Sequence, residues 1–598
     1  MRLHLLFMVF DTRLKLDNEK DVLKDMDLSD LKGRSLMLCD VLYQKPSKKT
    51  DWHDYITFIY RDLITKKKEL LSIKDPMYTI YEVKEEYRTF RTPRQFLPME
   101  QLISHEIKYK DLFKEMANII GEKGKRYYEE HTTKAERRAM MKYPYILGAD
   151  ISIETYYRVK WDNLLGNDAR KEPTNIYLDI EVNQRHWDGV GIPRKGECPI
   201  DAVTVVDAET DTAYTFLLHV KDNPLIDEFL SPEGQRTFNE RLHKMFDESY
   251  INFTYYQYMF EDELEMIRQI FKLIHSLKRD FCSIWNMSFD IPYIIERIWN
   301  LGEDPANIMC HSDFPTSTLY FYEDKDTFDF DKKRDYFEIS SYTHYLDQMI
   351  QYASLRKSQG AIKKVSLGAI GKREIGDTKL DYTDLGNFVE FSYRDYMLYV
   401  LYNIKDVLLQ RAIDKKVRDT FNYYNSCYNS FCQYKDGLKQ TVSLDAFIYR
   451  ELNMEKHLIL GNNINYDNVS RKGDDDDSND EEEEGFAGAI NGNPELNEPE
   501  GLILFGTKSM YLFGASIDFD FSAMYPNSIC GFNIFATTMI GKLYIENGER
   551  YLSYDEDPGK EFMEDLITKD PIHTGTKWFG LPSTDVLFDI MEKRFRGV

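Results

Sequence analysis

The sequence predicts a multidomain chain of mixed class, α+β at its N-terminus and α/β through its middle. Three observations predict this. The chain has 598 residues, room for about three to five domains. Hydrophobic residues make up 42% and charged residues 30%, with 42 Tyr and 36 Phe available to fill large cores. From Asn175 to about Lys416, short β-patterned runs alternate with stretches of helical period. No apolar run reaches the length of about 18 residues that crossing a membrane requires, so no membrane partner is expected. The apolar start, Leu3 to Phe10, is too short for a signal sequence. The seven cysteines are scattered without a C-x-x-C pair, which predicts reduced thiols and a cytoplasmic location.

The elements follow in chain order. Residues 1–170 form an N-terminal domain in which short apolar strands accompany a basic helical stretch, Glu122 to Lys142. Interleaved glutamates there suit a solvated helix face, with a phosphate-contacting patch as the other reading. Asn167 to Pro173 is a polar linker. Residues 171–420 form the α/β domain. Its first strand is Asn175–Asn183, followed by a hairpin of Ile200–Val206 and Thr212–Val220 turning at Glu209-Thr210-Asp211. A helix over Glu261–Lys278 puts Leu264, Ile267, Phe271 and Ile274 on one face. A strand at Phe281–Trp285 precedes a helix that starts at Pro292 and stops at Gly302. Thr316–Ile339 reads as an extended β-hairpin, and a long helix runs from about Tyr393 to Thr420. Residues 421–470 are a helical return. Residues 471–500 are an acidic, disordered loop and linker, and 501–598 form a further domain with a strand and turn at Tyr511–Asn533.

The net charge of −25 at first disfavours a nucleic-acid binder. Twelve acids against two bases between Arg471 and Glu500 account for −10 of it, and a basic groove can face phosphates on an acidic protein.

The chemistry begins at Tyr177-Leu178-Asp179-Ile180-Glu181. Alternation along a strand points Ile176, Leu178, Ile180 and Val182 to one side and Asp179 with Glu181 to the other. Adjacent carboxylates repel unless a cation lies between them, and hard ions such as Mg²⁺ take oxygen ligands; a plain solvated strand face is the other reading. Asp290, in Trp285-Asn286-Met287-Ser288-Phe289-Asp290, lies where α/β sheets place ligands, at a strand end, and could also cap a helix. Tyr402 and Asp406 share one face of an apolar helix, where an inward Asp needs a metal or an Arg as partner. Together the four carboxylates suit two-metal phosphodiester hydrolysis, with Asp179, Glu181, Asp290 and Asp406 as metal ligands. Tyr402 would orient the attacking water, and Phe289 would stack on an unpaired base.

D-x-E, N-x-x-F-D and Y-x-x-x-D, in that order, resemble the three exonuclease motifs of proofreading DNA polymerases of family B. The flanks Pro199-Ile200-Asp201-Ala202-Val203-Thr204 and Phe289-Asp290-Ile291-Pro292-Tyr293 resemble the versions in large tailed bacteriophages. The resemblance implies an RNase H-like DEDD 3′→5′ exonuclease holding two Mg²⁺ ions, and a hairpin at Thr316–Ile339 that helps separate the primer strand. It implies DNA contacts for Asn286, Phe289, Phe486 and Gly488, the last two in Phe486-Ala487-Gly488-Ala489, which resembles a Y-x-G-G/A linker with Phe in place of Tyr. Asp520-Phe521-Ser522-Ala523-Met524-Tyr525-Pro526-Asn527-Ser528 resembles palm motif A. By that match Asp520 is a catalytic metal ligand, Ser522, Ala523 and Met524 meet the triphosphate, and Tyr525 lies under the deoxyribose.

Two further motifs of that family, a fingers helix K-x-x-x-N-S-x-Y-G and a palm hairpin Y-G-D-T-D, are not found. Every Asp-Thr pair, from Asp11 to Asp419, precedes Asp520. A palm with one catalytic Asp lacks half its metal cage. The expectation is therefore the N-terminal part of a DNA-dependent DNA polymerase with a partial palm, and the resemblance to the phage versions implies one of the split enzymes of large phages. A second chain would bring fingers, the rest of the palm and the thumb, and complete a second site for two Mg²⁺ ions. Its partners would be primer-template DNA, single-stranded 3′ ends, dNTPs and, as a further candidate, a sliding clamp, in the cytoplasm of a host cell if the chain is viral. The alternatives are one longer chain cut to a fragment, a freestanding exonuclease with an idle palm relic, and a non-catalytic DNA-binding assembly subunit.

Overall fold

The computed structural model describes residues 27–88, 96–143, 145–166, 172–189, 191–246, 253–325, 327–357, 364–455, 458–460, 542–546 and 549–553. They fall into two compact units. The first comprises Met1–Thr79, Glu106–Leu112 and Ile151–Lys456; the second comprises Ile80–His105, Phe113–Asp150 and His457–Val598. No helix of the described residues is long and apolar enough to cross a membrane.

In the first unit, β1 (Leu36–Gln44), β2 (Tyr55–Asp62) and β3 (Lys68–Lys74) form an antiparallel sheet. The larger sheet has six strands: β4 (Asn175–Val182), β5 (Ile200–Asp207), β6 (Thr212–Leu218), β7 (Thr254–Phe260), β8 (Phe281–Ile284) and, after a hairpin of β9 (Leu319–Tyr322) and β10 (Tyr336–Ile339), β11 (His344–Asp347). Their spatial order is β7-β6-β5-β4-β8-β11. β4, β5 and β6 run antiparallel; β7, β8 and β11 join their neighbours in parallel. β4 is thus central, and each of its faces is covered by helix.

The two faces follow from the alternation along β4. Ile176, Leu178, Ile180 and Val182 pack into one core with Met266, Ile267, Ile270 and Ile274 of α1 (Glu263–Leu277) and with Met287, Ile291 and Ile294 of α2 (Met287–Asn300). Tyr177 lies on the other face, beneath Val400, Leu401, Ile404 and Leu408 of α4 (Tyr396–Val417), which follows α3 (Leu367–Ile375) in the chain. That second face carries Asp179 and Glu181, so α4 is the element that meets them.

Several element boundaries differ from the expectation, each for a local reason. The basic stretch Glu122–Lys142, in the second unit, is three short pieces, Glu122–Glu130, Lys134–Arg137 and Arg138–Lys142. Thr133 starts the second with a capping box to Glu136. The helix predicted from Pro292 begins at Met287, with Pro292 inside it, because Asn286 turns the chain through φ 70 and accepts a first-turn bond from Phe289 N–H at 3.0 Å. The long helix predicted for Tyr393–Thr420 is divided at Asp395, whose carboxylate caps α4 at Leu398, and at Arg418, φ 58. The helix after β7 runs from an Asp262 cap to a left-handed Lys278, close to expectation. The second unit also holds a hairpin of Lys542–Glu546 with Glu549–Ser553.

Candidate active site

Three elements of the first unit, β4, α2 and α4, bring the four predicted carboxylates to one place. Carboxylate oxygens of Asp179 and Glu181 (β4) and Asp406 (α4) lie within 4.8 Å of one another. They form the only such group of three among the described residues. Asp290, in the first turn of α2, is buried, and the Ile180 backbone N–H between the two β4 acids favours its charged form. It lies outside the tight group of three but close enough that its charge acts on Asp179. Asp290 is therefore a buried acid of the helix interior and not a cap at Pro292.

A polar ridge along α4 explains how an apolar helix can cover a polar strand face. Tyr399, Asn403, Asp406, Gln410 and Asp414 recur at helical spacing. Tyr399 Oη donates to Asp201 at 2.6 Å, Asn403 Nδ2 to Asp179 Oδ2 at 3.2 Å, and Gln410 Nε2 to the Leu178 carbonyl at 3.5 Å. Asp414 accepts from Tyr177 Oη at 2.7 Å. The ridge fixes the register of α4 on β4, and with it the place of Asp406.

Lys379, in the segment between α3 and α4, was not singled out by the sequence reading. Its Nζ donates to Asp406 Oδ2 at 2.5 Å and to Tyr402 Oη at 3.1 Å, so one cation ties Tyr402 to the acidic group. Burial alone would lower this ammonium; Asp406, then Tyr402 and Asp179, override burial and hold it above the usual lysine range. The single cation does not neutralise the site. Burial, followed by the charges of Glu181, Asp290 and Asp406, pushes Asp179 well above the usual carboxylate range, and burial and Asp406 do the same to Glu181. Burial also raises Asp406 against the pull of Lys379, and raises Asp290 to about 8.

These residues fit a divalent cation. Three oxygens converge, the buried Oδ1 of Asp406 has no hydrogen-bond partner, and oxygen-only ligands suit hard ions. Beside them an open cleft reaches from Asp179 and Lys379 past Asn286 and Phe330 to Lys364 and Ser366. Asn286 lines this cleft. Phe289 is half-buried and stacked on Tyr293 at 5.4 Å. Phe486, Gly488, Asp520, Ser522, Ala523, Met524 and Tyr525 lie outside the described residues, as does the acidic loop.

Asn403 was legible in principle, standing three residues before Asp406 on the same face. Lys379 had no local signal, because nothing in Thr378-Lys379-Leu380-Asp381 shows that it folds against a helix more than twenty residues on.

Among curated proteins, none matches the chain. Residues 144–318, which hold Asp179, Glu181, Asn286, Phe289 and Asp290, match the family model of the DNA polymerase family B, exonuclease domain. Lys379, Tyr402 and Asp406 follow that span. Exonuclease domains of this family use divalent metals and act on DNA, in keeping with the acidic group. The chain is thus a mixed α/β protein whose residues 144–318 match the RNase H-like exonuclease domain of family B DNA polymerases, a match that supports 3′→5′ exonuclease activity.

Proposed function

We propose that the chain is the N-terminal part of a DNA-dependent DNA polymerase that proofreads with its own 3′→5′ exonuclease. The observation that carries the nuclease half is the meeting of Asp179, Glu181 and Asp406 in the chain order strand, strand, helix. With Asp290 they would hold Mg²⁺, which when bound supplies Lewis-acid activation of water and neutralises charge at phosphorus. The chain's own residues do the rest. Asn403 orients Asp179, and Lys379 holds the Tyr402 hydroxyl where it can orient water. Asn286 and Phe289 steady the terminal nucleotide of a single-stranded 3′ end. Water oxygen adds to phosphorus, the bond to the 3′ oxygen breaks, and a nucleoside 5′-monophosphate leaves.

The polymerase half rests on motif A. Asp520 would be one ligand of a second Mg²⁺ pair, with Ser522, Ala523, Met524 and Tyr525 around the dNTP and Phe486 and Gly488 on the template. A second chain with fingers, the remaining palm and thumb would complete it on primer-template DNA, with a sliding clamp as a further partner, in a phage-infected cell's cytoplasm.

The test is a native pull-down of the chain, with the eluate incubated on a primed template with Mg²⁺. Lengthening with dNTPs and shortening without them is expected, with a second chain in the eluate. Asp520→Ala should then abolish lengthening alone, and Asp406→Asn shortening alone. Primers that only shorten, with no second chain, would leave a freestanding exonuclease. An Asp406→Asn protein that degrades DNA at the wild-type rate would remove that residue from the site.

A further inference from the structure

Away from the acidic site, the first unit has a strained corner that the nuclease chemistry does not use. A short 3₁₀ turn, Lys48–Thr50, follows β1 and ends in two consecutive left-handed residues, Asp51 at φ 51 and Trp52 at φ 60. Asp tolerates that region; a bulky Trp is a true outlier. The conformation is held from several sides. Trp52 N–H donates to the Ser47 carbonyl at 2.9 Å, His53 N–H to the Thr50 carbonyl at 3.0 Å, and Lys110 Nζ to the Trp52 carbonyl at 3.4 Å. Asp75, itself left-handed at φ 46, accepts from His53 at 2.9 Å and Lys110 at 2.8 Å, with Lys108 at 3.5 Å.

All of this holds Trp52 outward. Its side chain buries no core and is 64% exposed, although a left-handed backbone at Trp gains nothing for the fold. Strain retained without a packing reward marks functional positions. Lys45 and Lys48 are exposed on the segment that leads into the turn, beside the exposed Asp51, while Lys108 and Lys110 are taken up by Asp75. An outward aromatic face with two exposed lysines just before it in the chain matches an unpaired base and its flanking phosphates. A duplex, with its bases stacked inward, offers nothing to the ring.

We propose that the corner formed by Lys45, Lys48 and the left-handed pair Asp51–Trp52 is a platform for single-stranded DNA, one base stacking on Trp52 while Lys45 and Lys48 meet flanking phosphates. This rests on the reading of the chain as a DNA enzyme and adds a second contact for the strand, apart from the cleft at Asp179.

The experiment measures binding of a fluorescein-labelled oligothymidylate to the full chain in EDTA, beside degradation of the same oligonucleotide in Mg²⁺. Trp52→Gly removes the ring and suits the left-handed backbone, so it should keep or raise Tm while weakening binding about tenfold. Trp52→Phe should bind close to wild type. Lys45→Ala with Lys48→Ala should weaken binding and flatten its salt dependence, each lost phosphate contact lowering the slope by about 0.7. Trp52→Gly that binds like wild type, Trp52→Phe as weak as Trp52→Gly, or equal binding of a blunt duplex would overturn the proposal. Wild-type protein that neither binds nor degrades the oligonucleotide would instead overturn the DNA-enzyme reading itself, so the two failures are distinguishable.

Discussion

At the scale of single residues, the acidic group and Lys379 divide the work. Three converging carboxylates with one lysine leave excess negative charge, which a divalent cation offsets and a second protein cation does not. Lys379 therefore serves the site mainly by holding Tyr402 and Asp406 in place. Removing a pre-organised donor of this kind costs about a hundredfold or more in rate. Lys379→Met should lower the exonuclease turnover by about that factor, while its KM for a single-stranded oligonucleotide changes little; a shift in KM alone would make Lys379 a DNA contact. Tyr402→Phe keeps the ring packing and removes the hydroxyl. It should lower turnover without changing Tm, as measured by single-turnover degradation beside a thermal melt.

At the scale of elements, what could be read from the sequence and what could not divide along one line. β4 was legible because its alternation is local: every second residue is apolar, and the acids between them share a face. The hairpin of β5 and β6 was legible from its turn, with Asp211 at φ 49 where a tight turn asks for it. The start of α2 was misread because Pro292 suits a first turn, whereas the left-handed Asn286 sets the true start five residues earlier. Lys379 and the ridge on α4 depend on contacts between distant segments, which no local pattern records. The loop between β4 and β5 adds a constraint of the same non-local kind. Gly196, at φ +64, lies so close to α2 that a Cβ there would come within 2.4 Å of the Arg297 backbone N. Arg297 in turn donates to the Gly196 carbonyl at 3.1 Å and pairs with Glu263 at 2.6 Å. Gly196→Ala combines a backbone clash with a disfavoured φ and should cost about 1–3 kcal/mol, read as a lower urea midpoint with an unchanged slope. An unchanged midpoint would show that the loop can lift from α2 freely.

At the scale of the whole molecule, the buried acids make stability depend on pH and on cations together. Burial raises Asp290 to about 8 and both Asp201 and Asp347 to about 7. In the unfolded chain each returns to the ordinary carboxylate range, near pH 4. Between about pH 4 and pH 7, then, the folded chain keeps protons that the unfolded chain has released. The contribution of these acids falls as pH rises through that window, the reverse of an ion-paired carboxylate, at about 1.4 kcal/mol per pH unit for each full proton of difference. Buried His275 and His344, lowered to about 4 and about 3, act the other way below about pH 6.5 and are outnumbered by the raised acids. In chelator, Tm should be lower at pH 8 than at pH 5. Asp347 tests the part that belongs to the protein alone: it is buried, its Oδ2 has no hydrogen-bond partner, and its Oδ1 accepts from Ile350 N–H at 2.9 Å, which Asn can also do. Asp347→Asn should flatten the slope between pH 5 and pH 8, in part by lowering Asp290, on which the Asp347 charge acts. Mg²⁺ or Mn²⁺ should act on the other part, raising Tm more at pH 8, where it competes with fewer protons for Asp179, Glu181 and Asp406, than at pH 5. A Tm that rises with pH in chelator above about pH 6.5, where the buried histidines no longer titrate in either state, would mean that these carboxylates are ionised in the folded chain. Lys379 and the neighbouring amides would then offset their charge without a metal.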